Sequence, residues 1–236
     1  MEKELMKLPI VLIPGLMCDM RLFEPQMSFL SRERTVILAP PIGFNSVNEI
    51  ALNIIKSAPK QFILAGLSLG GIVAIEMVRL FQERIQRLVL MDTSYLAEPD
   101  YITSKREIQI RNVEKGLLRT VMIEEHIPYY LADGSTNGSV SDLCIEMALQ
   151  LGSEIFIQQS RALMSRVDQT HTLQNIKIPT MLLCGEHDRL CTVKTHQQMR
   201  EAERRHISPV KKTRACPCRK FFSHEPRNQL ISQKIE

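Results

Sequence analysis

The segment Gly66-Leu67-Ser68-Leu69-Gly70 constrains this chain more than any other. It follows a short apolar run, residues 61–65, that reads as a buried strand, and it precedes residues 72–81, which are apolar-rich at helical spacing. A chain passing from strand to helix within five residues must turn sharply, and Gly66 and Gly70, lacking a β-carbon, let the two elements close on each other. Such a turn lifts the Ser68 side chain into the open. A serine hydroxyl is a weak nucleophile at neutral pH, so chemistry at Ser68 also needs a base beside it and donors for the oxyanion that follows. Leu69 offers its backbone N–H for that second purpose. The bland alternative is a glycine-bracketed turn around an ordinary serine; strand before and helix after favour the nucleophile.

The rest of the chain repeats the strand–helix alternation. Residues 8–13, ended by Pro14-Gly15, and residues 35–39, stopped by Pro40-Pro41, read as buried strands. Residues 46–57 carry Val47, Ile50, Ala51, Ile54 and Ile55 at helical spacing behind a capping box of Ser46 and Glu49. Residues 86–91 and 179–184 supply a fourth and a fifth strand. Strands alternating with helices predict a parallel sheet covered on both faces. Between residues 97 and 174 no comparable strand occurs; residues 107–126 and 141–166 are helix-like, separated by a loop at 133–138. The expected organisation is one α/β domain, with a core of residues 1–96 and 175–236 and a helical cap at about 97–174.

With these elements in order, the chain resembles the α/β-hydrolase fold family over residues 8 to about 200. The resemblance implies a second oxyanion donor from the loop after an early strand, and Ile13-Pro14-Gly15-Leu16-Met17-Cys18-Asp19 stands in that place. Leu16 is the expected donor, with Met17 the alternative. The family's usual histidine is replaced by Pro14, which a backbone donor tolerates. An acid to orient the base is expected at the carboxyl end of a later strand. Asp188, in Cys184-Gly185-Glu186-His187-Asp188, fits the order serine, acid, histidine; Glu186 and Asp92 are its competitors.

The base is the difficult residue. The resemblance implies a histidine some 27 or 28 residues past Asp188, after one more strand, yet positions 215 and 216 are Ala and Cys. The segment 207–218 carries two prolines and three basic residues, a poor central strand. The last strand and the base are therefore expected to be missing together. His224 is the nearest later candidate, with His206 behind it; the competing reading of His224 is a solvent-facing histidine in a loose tail. His187 adjoins the acid but would point away from it, and His126, His171 and His196 fall in helical or linker contexts that favour surface roles. A shifted reading frame after about residue 200 would explain the change: one nucleotide fewer permits Gly-His where Arg214 and Ala215 now stand.

Composition excludes other classes. The 236 residues suit one sizeable core, and no apolar run reaches the ~18 residues that a membrane span requires. Six cysteines without framework spacing, and no signal peptide, predict reduced thiols in the cytoplasm. The net charge of +4 is local: from Arg200 onward there are 10 Lys/Arg against 4 Asp/Glu, leaving 20 against 22 for the body. A zinc reading of Cys216, Cys218, His206 and His224 lacks the usual two-residue spacer. A nucleic-acid reading would rest on the basic tail with Phe221 and Phe222 alone. The sequence thus predicts a serine hydrolase of small carboxylic esters, needing no metal or organic cofactor, no membrane and no nucleic acid. Two alternatives stay open: a noncatalytic or inactivated protein of the same fold, and a hydrolase of C–C, thioester or lactone bonds.

Overall fold

The computed structural model describes residues 7–130, 138–202 and 206–208, and the backbone of 211–213. Its centre is a sheet of six parallel strands: β1 (Ile10–Ile13), β2 (Val36–Leu38), β3 (Phe62–Leu67), β4 (Ile85–Met91), β5 (Thr180–Gly185) and β6 (Lys211–Thr213). Their spatial order is β2-β1-β3-β4-β5-β6. β1 and β3 are buried along their whole length, as unbroken apolar runs in a sheet covered on both sides should be.

Alternate residues enter two separate cores. Val11, Ile13, Leu64, Leu88 and Leu90 pack on one face with α2 (Val47–Ser57) and α3 (Leu69–Phe81). Ile10, Leu12, Ile63, Ala65, Val89 and Met91 pack on the other with Phe23 and Leu30 from the short 3-10 turn Met20–Phe23 and α1 (Glu24–Leu30). The period of two along each strand thus builds both layers. The cap of α2 is the expected one: Ser46 Oγ accepts from the Glu49 amide at 3.2 Å and donates to the Glu49 carboxylate at 2.7 Å.

Between β4 and β5 the chain makes a helical excursion: α4 (Asp100–Glu114), α5 (Leu118–Val121), a π-helical turn (Met122–His126), α6 (Ile127–Tyr130), α7 (Gly138–Met164) and α8 (Thr170–Gln174). The single helix expected over 107–126 is broken at Gly116, whose φ of +85° carries the chain through a left-handed turn. Gly152, at φ +83° and ψ 174°, leaves helical geometry, so α7 is two helical segments that meet at a kink. The final helix of the described chain is α9 (Val193–Ala202).

The two ends of the excursion are clamped together. The Gln169 amide donates to the Tyr95 carbonyl at 2.8 Å, and the Gln169 side chain donates to Glu76, which also pairs Arg79 and accepts from Asn48. Glu98, 1% exposed, pairs Arg106 at 2.7 Å and Arg166 at 2.9 Å, joining the first turn of α4 to the chain beyond α7.

The expected loss of the last strand is corrected. Ile207 bridges to Thr180, and residues 211–213 pair in parallel with Leu183–Gly185. The sequence argument concerned a central strand, whereas among the described residues this one stands at the end of the strand order, a position where proline or lysine is tolerated. Residues 214–236, with His224, Cys216, Cys218, Phe221, Phe222 and the positions of the frame-shift reading, lie outside the described residues.

Candidate active site

The strand order reverses direction between β1 and β3: the chain goes outward from β1 to β2 and then returns to β1's other side. In an open parallel sheet such a switch point opens a crevice at the carboxyl ends of the strands. The loop after β1 and the turn after β3 meet there.

Ser68 occupies that turn with φ +52° and ψ −114°, a conformation that non-glycine residues seldom adopt. Its neighbours explain how the strain is held. A β-carbon on Gly66 would come within 2.2 Å of the Gly70 carbonyl oxygen, and one on Gly70 within 2.1 Å of the Ile13 carbonyl oxygen. The two glycines are therefore fixed by close approach of backbone to backbone. Ser68 N donates to the Met91 carbonyl at 2.9 Å, and the Thr93 hydroxyl donates to the Ser68 carbonyl at 2.7 Å. The sequence reading missed Thr93; its signal is position alone, two residues past β4.

The crevice is a cleft of about 420 Å³ lined by Gly15, Leu16, Cys18, Leu67, Ser68, Asp92, Tyr129, Tyr130, Asp188, Leu190 and Cys191. Three of the expected site residues, Ser68, Leu16 and Asp188, share it. Leu69 is the first residue of α3, so its N–H belongs to the helix's unsatisfied, electropositive end beside Ser68. The Met17 amide, the alternative to Leu16, is already engaged: it donates to Gln159 Oε1 at 2.8 Å. Glu186 is exposed and does not line the cleft, whereas Asp188 is half-buried, its Oδ1 accepting from the Leu190 and Cys191 amides at 2.7 Å each.

Asp92 is brought to the same place. It sits at φ +38° just past β4, its Oδ1 accepts from the Gly185 amide at 2.7 Å, and its carboxyl is in hydrogen-bond contact with that of Asp188. Burial pushes Asp188 above the ordinary carboxylate range, against the pull of its two amide donors. The Cys191 thiol in the same wall is pushed well up by burial and by the Asp188 and Asp92 carboxylates, so it stays a thiol, and Ser68 faces no competing thiolate.

Asp92, Cys184 and His196 approach one another closely enough to suggest a metal site. Their hydrogen bonds say otherwise. His196 Nδ1 lies 3.1 Å from the Thr192 carbonyl and its Nε2 accepts from the Thr93 amide at 3.3 Å, so both ring nitrogens are committed. Fully buried, with burial holding its pKa below the ordinary value, His196 is a neutral brace for the Asp92–Thr93 turn rather than the surface histidine expected. His126 is likewise buried, in the π-helical turn against Tyr130 and Phe156. His206 stands beside Thr180, at the amino end of β5, roughly 16 Å along the strand from its carboxyl end.

A six-stranded parallel sheet, a strained serine at its switch point and acids past the next two strands define an α/β hydrolase. The sequence profile described as "Serine aminopeptidase, S33" matches residues 47–214, and the chain belongs to that family of α/β hydrolases. It is 24% identical over 205 residues, covering 83% of this chain and 82% of the relative, to a pimeloyl-[acyl-carrier protein] methyl ester esterase of Legionella pneumophila (strain Paris). Its fold is similar to that of a thermophilic esterase from Thermogutta terrifontis, with TM-score 0.85, 21% identity, and 97% of this chain and 89% of that one covered. An enol-lactonase from Burkholderia xenovorans LB400 is also similar, with TM-score 0.79, 16% identity, and 98% and 92% covered.

Proposed function

We propose that the chain hydrolyses small carboxylic esters through an acyl-enzyme at Ser68, with the helices of about 97–174 acting as a cap. The observation that carries this reading is Ser68 itself: a serine held at φ +52° at the switch point, in one cleft with Asp188 and Leu16. Strain of that kind persists where surrounding structure over-determines it, and it exposes the hydroxyl. Ser68 Oγ attacks the ester carbonyl, the N–H groups of Leu69 and Leu16 hold the oxyanion, the alcohol leaves, and water releases the acid. Asp188 orients the base, and the Asp92 carboxyl lies in hydrogen-bond contact with Asp188. His224, outside the described residues, is the candidate base.

The walls suit a short, mostly apolar substrate. Leu16, Leu67, Leu190 and the two tyrosines line the cleft with Ser68. The curated relative's methyl ester substrate supports an ester with a small alcohol. Among the described residues Cys18, Cys144, Cys184 and Cys191 are in no disulfide, which supports a reducing, cytoplasmic setting. Among the described residues no helix is long and apolar enough to cross a membrane. Labelling by a serine-reactive fluorophosphonate, located at Ser68 by peptide mass and abolished in Ser68→Ala, tests the nucleophile; turnover of p-nitrophenyl acetate and butyrate tests the reaction. A folded protein that does neither is a noncatalytic member of the fold.

A further inference from the structure

Gln159 lies in α7, 142 residues from Met17 in sequence, and its side chain is fully buried. Its Oε1 accepts from the Met17 amide at 2.8 Å, and its Nε2 donates to the Pro41 carbonyl at 3.2 Å. Met17 is itself at φ +53°, so the loop after β1 is held in an unfavoured conformation at the point that Gln159 grips. The segment of α7 before the kink at Gly152 holds the loop's far end: Arg21, clamped on Asp19 at 2.6 Å, donates to Gln150 at 2.9 Å. The Leu16–Met17 peptide plane is thus fixed from the helical excursion, not from the sheet.

We propose that Gln159 is a positioning residue for the oxyanion hole: by occupying the Met17 amide it fixes the peptide next to Leu16, aims the Leu16 N–H at the cleft and excludes Met17 as a donor. The inference rests on the reading of Ser68 as nucleophile. Without an acceptor, the Met17 amide would be buried unsatisfied, and the loop would turn to find another partner, carrying Leu16 with it. Two glutamine functions are needed at once, an acceptor towards Met17 and a donor towards Pro41. Gln159→Leu supplies neither. Gln159→Glu supplies both when its carboxyl is protonated and only the acceptor when ionised, and burial raises the pKa of such a carboxyl.

The test measures the rate of fluorophosphonate labelling at Ser68, because phosphonylation develops the same negative oxygen as ester attack, together with hydrogen exchange of the peptide containing Met17. Wild type should label readily and protect the Met17 amide. Gln159→Leu should label about 100-fold more slowly, the cost of displacing a positioned group by about 1 Å, and exchange the amide faster. The ratio of Gln159→Glu to wild-type labelling should approach one at low pH and fall as pH rises, a profile that simple loosening of the fold would not produce. Should Gln159→Leu fail to fold, the Gln159→Glu profile decides alone. Equal labelling of wild type and variants, a flat ratio, or faster labelling in Gln159→Leu would overturn the proposal while leaving Ser68 as nucleophile. Absence of labelling in folded wild type would overturn the nucleophile reading and this inference with it.

Discussion

Glu98 offers the sharpest energetic test of the fold. Its carboxylate, 1% exposed, is shared by the guanidinium groups of Arg106 and Arg166, themselves only 14% and 13% exposed. Truncation in Glu98→Ala leaves two cations facing each other in a desolvated space, and breaking a buried pair by removing one partner costs about 3–5 kcal/mol. For a domain of this size each kcal/mol moves Tm by about 2–4 °C, so the variant should melt roughly 6–20 °C lower. Replacing all three residues by apolar groups of similar volume, Glu98→Leu with Arg106→Met and Arg166→Met, removes the desolvation cost as well as the attraction. The triple variant should therefore melt within about 3 °C of wild type, since such exchanges are often neutral or favourable. Thermal melts and urea titrations of the single and triple variants provide the measurement. A single variant shifted by less than about 2 °C, or a triple no more stable than the single, would refute the argument that these charges are buried and mutually compensating.

Other expectations follow from single positions. Gly70→Ala should abolish soluble expression, because its β-carbon would meet the Ile13 carbonyl oxygen at 2.1 Å, whereas Gly43→Ala, with nothing within 4 Å but φ +86°, should express and lose only about 1–2 kcal/mol by denaturant titration. His126 is held neutral by burial, with its pKa lowered from an ordinary 6.5 to about 3. Its contribution to stability is complete above 6.5 and is lost as pH falls from 6.5 towards 3, at up to about 1.4 kcal/mol per pH unit; His126→Phe should flatten that limb in pH-dependent melts. Burial raises Asp188, so its ionised form costs stability above the ordinary carboxylate range and costs nothing below it. Asp188→Asn keeps an Oδ1 for both amide donors and should melt higher than wild type at pH 7, lose that advantage at pH 3, and lose esterase activity throughout.

The parts of this architecture that were legible in the sequence are those fixed by local chemistry. Residues 61–65, Gly66, Ser68 and Gly70 announced β3 and its turn because only glycine admits that contact, and Ser46 with Glu49 announced α2 because a cap is a three-residue event. The excursion was legible as helical but not in its breaks, since Gly116 and Gly152 interrupt an apolar period that continues on either side. The 3-10 turn and α1 within residues 20–30 are not legible in the sequence, because the pattern there is short and Pro25 sits inside it, tolerated in the first turn. Of the candidate site, Asp92 and Asp188 each lay visibly past a strand, but their contact depends on sheet order. Gln159 could not be found from sequence: its partners lie 142 and 118 residues away, and nothing in its neighbourhood distinguishes it from Gln158. His196 was misjudged for the same reason, since burial on α9 is decided by the turn at Thr93.

The hydrogen bond from Gln169 to Tyr95 closes the excursion into a loop whose ends are already together. The entropy of closing such a loop grows only slowly with its length, and here it is lost once, at that single pair. The helices between them still add side chains to both cores, Val113, Phe156 and Leu163 to one and Val140 and Met147 to the other, so a change of length there is felt by the sheet as well as by the cleft.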